Sequence, residues 1–477
     1  MRIETLVDEA AALRPSHPAL IFGERCWTYA QLRAEMDRRA AILTQVGLMP
    51  GDVVVTTENI SDAVCIAFLA CCRADLTFFP LSRQLTPAEM TPLIVRGRAA
   101  VILTADGQVS TACASLPALP LDLPGSADKA ATNEVRRRSQ TGSAEAIAIL
   151  QTTSGTTGTM PKVVAVPHRT FTWLRATPMW WANPDAVHYY PYPTLFAVRG
   201  ICDAMWQGGT IVLSQATDPQ RMEDEMVARD VTAIGTVPAV LRRLSEHRRP
   251  PPTGFTLAVI RTVAAALPSD VRHAAERRYN ATIVQEYAST EGGVMFGTPR
   301  DSAPDGSIGK PYPGVRARIV DEEGGDLPDG AIGELLIRTP GMMLGYRDDP
   351  AATARAIRDG WLWTGDLARK DADGCYYLEG RRTLRINVSG FKVAPEEVEA
   401  VLAAHPGVRE VVVLAMPDTA RGEVVRAVIV PEGAPPSAST LRRYCRERLA
   451  GYKVPRRFEF RDALPHSSLG KVLRHKL

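Results

Sequence analysis

The chain has 477 residues, 45% of them hydrophobic, and its 56 Lys+Arg against 53 Asp+Glu leave a formal charge of +3. That length is more than one ordinary core serves and predicts a large domain beside a smaller one, while so balanced a surface argues against a nucleic-acid partner. Glu4, Asp8 and Glu9 stand where a signal peptide needs positive charge, and no apolar run approaches the ~20 residues that span a bilayer, so no membrane span and a cytoplasmic location are expected.

Residues 1–145 alternate helical and strand patterns, which predicts a layered α/β domain with a mostly parallel sheet. Residues 6–13 and 29–46 carry apolar residues at helical spacing, 52–56 is a short β-branched run, 62–72 a buried helix and 99–103 another strand. Residues 126–142 are polar and charged and read as a surface connection. The eight cysteines contain no CxxC and sit mostly in apolar surroundings such as AVCIAFLACC, as small buried hydrophobes of a reducing compartment do.

A buried strand at 147–150 then runs into Thr152, Thr153, Ser154, Gly155, Thr156, Thr157, Gly158 and Thr159, after which Pro161-Lys162 leads into a second β-branched strand. Gly155 and Gly158 allow backbone N–H groups to aim inward, the hydroxyls add donors that suit a polyphosphate, and Lys162 adds a point charge. The loop is not a Walker A motif, because Lys162 follows a proline and has no hydroxyl behind it. Taken alone, such an octet reads as readily as a flexible linker.

Residues 187–213 predict a strand, a turn, a helix and a further strand after Gly208-Gly209. Aromatic and apolar residues around a turn at a strand's C-terminal end suit an acid-binding pocket, although each residue by itself reads as ordinary core. Arg199 is unusual there. In an apolar wall it must meet an acid or a substrate oxygen, or turn out to solvent. Residues 260–268 and 281–291 end strands in small or polar residues. Ala264, Ala265 and Ala266 leave room for a planar ring, and Tyr287 offers a face on which such a ring could stack, worth ~1 kcal/mol beyond burial. Thr290 can donate to an α-phosphate and Glu291 is a hard oxygen ligand for Mg²⁺; the pair also reads as a helix N-cap with an acidic first turn. Short strands and turns continue to Asp366, whose two oxygens match a vicinal diol. Past Arg381 the pattern predicts a compact α+β unit with a helix opening on Pro395-Glu-Glu, ending in Leu464-Pro-His-Ser-Ser-Leu-Gly-Lys471.

In order, the loop at 150–164, Tyr287-Ala-Ser-Thr-Glu291, Trp363-Thr-Gly-Asp366, Gly380-Arg381 and Leu469-Gly-Lys471 resemble the motif set of the acyl-adenylate-forming (ANL) superfamily: acyl-CoA synthetases, adenylation domains of nonribosomal peptide synthetases and luciferase-like enzymes. The resemblance implies a large α/β domain with a β-rich lobe at 1–382 and a small mobile α+β domain at 383–477. It implies adenylation of a carboxylic acid by ATP and Mg²⁺, then transfer to a thiol of coenzyme A or a separate carrier protein. By resemblance Thr153, Ser154, Gly155, Thr156, Thr157, Gly158, Lys162, Ala265, Tyr287, Asp366 and Arg381 bind the nucleotide. Lys471, Thr290 and Glu291 act in catalysis, with Glu291 on the metal, and Phe196, Arg199, Gly200 and Ala264 line the acid pocket.

Amino-acid-activating members place an aspartate near residues 196–200. Here Asp203 falls later, on the expected helix, so an acyl or aryl acid is favoured over an α-amino acid. The sequence departs from the family pattern at Ala288, usually glycine, and at Arg382, Thr383 and Leu384, where an aspartate or lysine hinge is common; Asn387 stands where lysine is often found. An amine acceptor or another oxyanion stays open. The rival from another class is a non-catalytic nucleotide-binding relative, against which the retention of both Lys162 and Lys471 argues.

Overall fold

The computed structural model describes residues 1–83, 85–105, 111–153, 162–176, 182–191, 195–264, 267–298, 304–381, 386–465 and 477; the side chains of 111, 176, 195–199, 380, 381 and 396 are outside that description. The chain is mixed α/β, a large N-terminal domain with a small one after it.

Two sheets build the large domain. In a seven-stranded sheet, Val53–Thr56 lies between Thr77–Pro80 and Ala99–Thr104, all parallel. Val53, Val54 and Val55 are buried on both faces, which is why this run is continuously β-branched rather than alternating. The helix Asp62–Arg73 starts on the Ser61 side chain, which accepts from the Val64 N–H, and it buries nearly every residue, Cys65, Cys71 and Cys72 included. The edge of this sheet is an antiparallel pair, Ile147–Thr153 with Lys162–Pro167, extended by the two residues Gly345–Tyr346.

The 14-stranded sheet is parallel through Val187–Pro191, Ala233–Thr236, Val259–Thr262 and Thr282–Ser289. It then becomes antiparallel through Gly293–Gly297, Ser307–Pro311, Tyr376–Arg381, Trp361–Lys370 and Gly333–Arg338. The β-rich lobe is therefore continuous with the main sheet.

The small domain wraps the helices Pro395–Ala403 and Ala438–Arg446 on a five-stranded sheet centred on Gly422–Pro431, with its own core of Val393, Val398, Leu402, Ile429 and Leu441. All its strands lie from Ile386 on, and the expected boundary at 382/383 falls outside the described residues.

Two expectations change. Residues 126–142 are no mere connection, because Lys129–Thr141 is a helix capped by Asp128. The helix Pro350–Ala356 lies in a stretch read only as strands and turns. Seven cysteines are buried free thiols and Cys26 is exposed. No described helix is long and apolar enough to cross a membrane.

Candidate active site

The hairpin Ile147–Thr153/Lys162–Pro167 sets Thr153 directly opposite Lys162. The turn between them, with Ser154, Gly155, Thr156, Thr157 and Gly158, lies outside the described residues. Lys162 Nζ stands 4.3 Å from the centroid of the Tyr346 ring. Tyr346 is fixed in turn by its strand, which pairs it with Val164. Its hydroxyl donates to Glu291 Oε1 at 3.0 Å. A lysine, a tyrosine and a glutamate from three separate stretches thus form one connected wall.

Thr290 and Glu291 sit in the tight turn of a β-hairpin between Thr282–Ser289 and Gly293–Gly297, not at a helix start. Ser289 Oγ accepts the Gly292 N–H at 2.9 Å and closes that turn. Gly293 takes φ +71°, and a Cβ there would come within 3.2 Å of Thr170, so the hairpin needs glycine at this position. Behind it the Tyr287 hydroxyl donates to Asp366 Oδ2 at 2.6 Å, while the Tyr287 ring meets the Phe296 ring nearly edge-on. Asp366 is buried and its backbone faces Arg381 in the neighbouring strand.

These elements border a cavity of about 720 Å³. Thr153, Tyr190, Thr236, Ala264, Thr290 and Glu291 line it from the large domain, and the turn at 389–392 lines it from the small one. Asp366 and Tyr287 are not on its described lining; Tyr287 is on the strand that leads into Thr290, and Asp366 meets it through the Tyr287 hydroxyl.

The acid-pocket candidates divide. Gly200 is buried on the helix Leu195–Gln207, where a Cβ would lie 2.1 Å from the Tyr190 ring, so only glycine admits that tyrosine to the cavity wall. The side chains of Phe196 and Arg199 on the same helix are outside the description. Asp203 is bound to Arg261 at 2.9 Å, and Arg261 also meets Glu286 at 3.0 Å, all three being buried. Asp203 is thus engaged by protein. Ala264 has φ +79° and its carbonyl accepts from Asn387 Nδ2 of the small domain at 3.1 Å. Ala265 and Lys471 lie outside the described residues.

Sequence reasoning missed Tyr346, Tyr190 and the turn at 389–392. The last had a readable signal. Ser389 and Gly390 both have positive φ between the strands Ile386–Val388 and Phe391–Val393, the two-residue hairpin geometry that a Ser-Gly pair between apolar runs announces. A second group of ligand-type side chains, Glu4, Cys72 and His168, is structural. Arg2 binds Glu4 and the Cys72 carbonyl, and His168 Nδ1 accepts the Ile3 N–H. Burial, with Arg2 nearby, holds His168 well below its ordinary pKa and so neutral.

Residues 7–347 match the family model described as AMP-binding enzyme, and residues 397–471 match AMP-binding enzyme C-terminal domain. The chain is 31% identical to the fatty acid–[acyl-carrier-protein] ligase ScoC of Streptomyces coeruleorubidus, across 100% of this chain and 96% of that one. A double mutant of o-succinylbenzoate CoA synthetase (MenE) from Bacillus subtilis, bound with its product analogue OSB-NCoA, is 25% identical and superposes with a TM-score of 0.89 over 99% of this chain and 98% of that one. The same synthetase in complex with AMP scores 0.71 at 25% identity over 99% and 97%. The amide bond synthetase McbA from Marinactinospora thermotolerans, 27% identical, scores 0.87 over 100% and 99%.

Proposed function

The chain belongs to the AMP-binding enzyme family within the acyl-adenylate-forming superfamily and is an AMP-forming ligase; from that premise we propose that it activates an acyl or aryl acid and passes it to the thiol of coenzyme A or of a separate carrier protein. The observation that carries this reading is the convergence of Thr153, Thr290 and Glu291, the last tied through Tyr346 to Lys162, on a cavity whose lining joins apolar side chains such as Val64, Phe78 and Val240 to the cations Arg83, Arg243 and Arg421, with Asp203 already engaged by Arg261.

A free carboxylate resists attack because it is anionic and has no good leaving group. In the first step a carboxylate oxygen of the acid attacks the α-phosphorus of ATP while the bond from that phosphorus to the bridging oxygen breaks. Pyrophosphate departs and acyl-AMP remains. In the second step the thiolate adds to the acyl carbonyl and the bond to the AMP oxygen breaks, the thiol proton going to solvent.

Thr153, Lys162 and residues 154–158 receive the β- and γ-phosphates, and Thr290 donates to the α-phosphate. Glu291 presents a hard carboxylate on the cavity wall with one oxygen already oriented by Tyr346, a donor that fits Mg²⁺ on the triphosphate. Such an ion, when bound, supplies neutralising charge to the phosphates. Asp366, held by Tyr287, and Arg381 on the facing strand take the ribose. Lys471 supplies positive charge to the five-coordinate phosphorus, an effect typically worth several kcal/mol. We place the boundary between the two domains at 382/383.

One synthetase, seen with nearly equal coverage, scores 0.89 with a CoA product analogue and 0.71 with AMP. This chain thus superposes more closely on the form that holds the CoA product analogue, a double mutant, than on the form that holds AMP. This supports the reading that the small domain is docked here as for acyl transfer.

Acid-dependent ATP–pyrophosphate exchange over fatty, aryl, hydroxy and amino acids tests the proposal. Exchange with fatty or aryl acids and none with amino acids is expected. No exchange with any acid overturns it in favour of a non-catalytic relative. Product analysis with CoA, a carrier protein and an amine, the last prompted by the likeness to an amide bond synthetase, then identifies the acceptor.

A further inference from the structure

Lys453 is a buried lysine that the chemistry above does not use. Its Nζ lies 2.7 Å from Glu397 Oε1 and 2.9 Å from Glu89 Oε1, and the three side chains are 3%, 8% and 7% exposed. Glu397 belongs to the helix Pro395–Ala403 of the small domain, and Lys453 follows that domain's second helix. Glu89 belongs to the helix Pro87–Gly97 of the large domain. The Lys453–Glu397 pair is therefore internal to the small domain and travels with it. Of these two bonds, the one from Lys453 to Glu89 crosses between domains.

Glu89 is prepared for this role before Lys453 arrives. It is the third residue of a capping box, its Oε2 accepting the Thr86 N–H at 2.9 Å and the Thr86 hydroxyl at 3.1 Å. One oxygen is thus committed to fixing the carboxylate's direction, and the other points at the domain boundary. Burial works against the Lys453 ammonium, but Tyr452, Glu397 and Glu89 outweigh it and raise its pKa above the usual lysine value. The contact sits beside the cavity, since Lys453 and Tyr452 line it and Tyr452 stacks on Phe391 of the 389–392 turn at 4.4 Å.

Resting on the reading that the docked state serves acyl transfer, we propose that Glu89 is a positioning residue for the second step only: its carboxylate latches Lys453 when the small domain docks, and it takes no part in forming the adenylate. A charge that is buried only in the docked state favours that state by the free energy of the pair it forms there, and it contributes nothing when the domains part.

Glu89→Gln isolates this role. Glutamine at the third position of a capping box keeps the bond from Thr86, so the helix start survives, while the negative charge facing Lys453 is lost. Cys26, the one exposed thiol among the described cysteines, and an introduced Glu432→Cys give two spin-label sites, one on each domain. Double electron–electron resonance on the ligand-free protein is expected to show a docked-distance population that Glu89→Gln depletes about tenfold, less than a fully broken buried pair because Lys453 keeps Glu397. An exposed control, Glu322→Gln, is expected to leave it unchanged. In single turnovers with CoA as the probe, thioester formation from preformed adenylate is expected to slow about tenfold while pyrophosphate exchange stays at the parental rate. An unaltered distance distribution in Glu89→Gln overturns the latch, as does a parallel fall in exchange. Should the parental protein show no exchange at all, the functional reading fails, and the distance distribution alone still decides whether Glu89 holds the domains together.

Discussion

Glu291 stands at the tip of a hairpin, where an untethered carboxylate would swing, and the Tyr346 hydroxyl removes that freedom. A hydrogen bond to a charged group is worth roughly 1.5–3 kcal/mol, so Tyr346→Phe is expected to lower kcat/KM for MgATP in the exchange assay by about ten- to hundredfold. The ring survives in this variant and still faces Lys162, so the loss reports the hydroxyl alone; an unchanged kcat/KM would remove Tyr346 from the site. Thr290, Glu291 and Asp366 were picked out from the sequence because each stands in a short motif of fixed order; the first two line the cavity, and Asp366 is bound to Tyr287 behind it. Tyr346 was not, since a Gly-Tyr pair has no signature of its own and reaches Glu291 only through strand pairing with Val164.

The strand Val259–Thr262 carries Arg261 into the protein between Asp203 and Glu286, and the Tyr312 hydroxyl donates to Glu286 at 3.0 Å. Arg261→Met would leave two carboxylates facing each other without a cation. The expected loss is about 3–5 kcal/mol of unfolding free energy, read from the urea midpoint. Elements with strong apolar periodicity were legible, as in the helices Tyr29–Gln45 and Asp62–Arg73. The helix Lys129–Thr141 was overlooked because it buries only Val135 and Ser139. It is held instead by its Asp128 cap, the Arg138–Glu134 pair and Arg136 reaching Asp37, features that resemble a polar linker when read singly.

For the whole molecule, pH stability carries the mark of His188. Burial, with Arg261 adding to it and Asp203 opposing, pushes its imidazole down to about 4 from an ordinary 6.5. Between those values the unfolded chain binds a proton that the native chain does not. Stability from this group is therefore full above pH 6.5 and declines as pH falls toward 4, by up to about 1.4 kcal/mol per unit. His188→Gln is expected to flatten the slope of urea-unfolding free energy against pH in that window, and an unchanged slope would assign the dependence elsewhere. The two-domain organisation was legible from the change of pattern after Arg381. The docking was not, because Glu89, Lys453 and Asn387 touch their partners only after both domains have folded.

A binding chamber walled by two bodies has no fixed dimensions of its own. A compound spanning from Thr236 to the Ser389-Gly390 turn would splint the halves together. Its residence time would then be governed by how often the protein yawns open, so tight inhibitors of this ligase should be sought by slow release rather than by equilibrium potency.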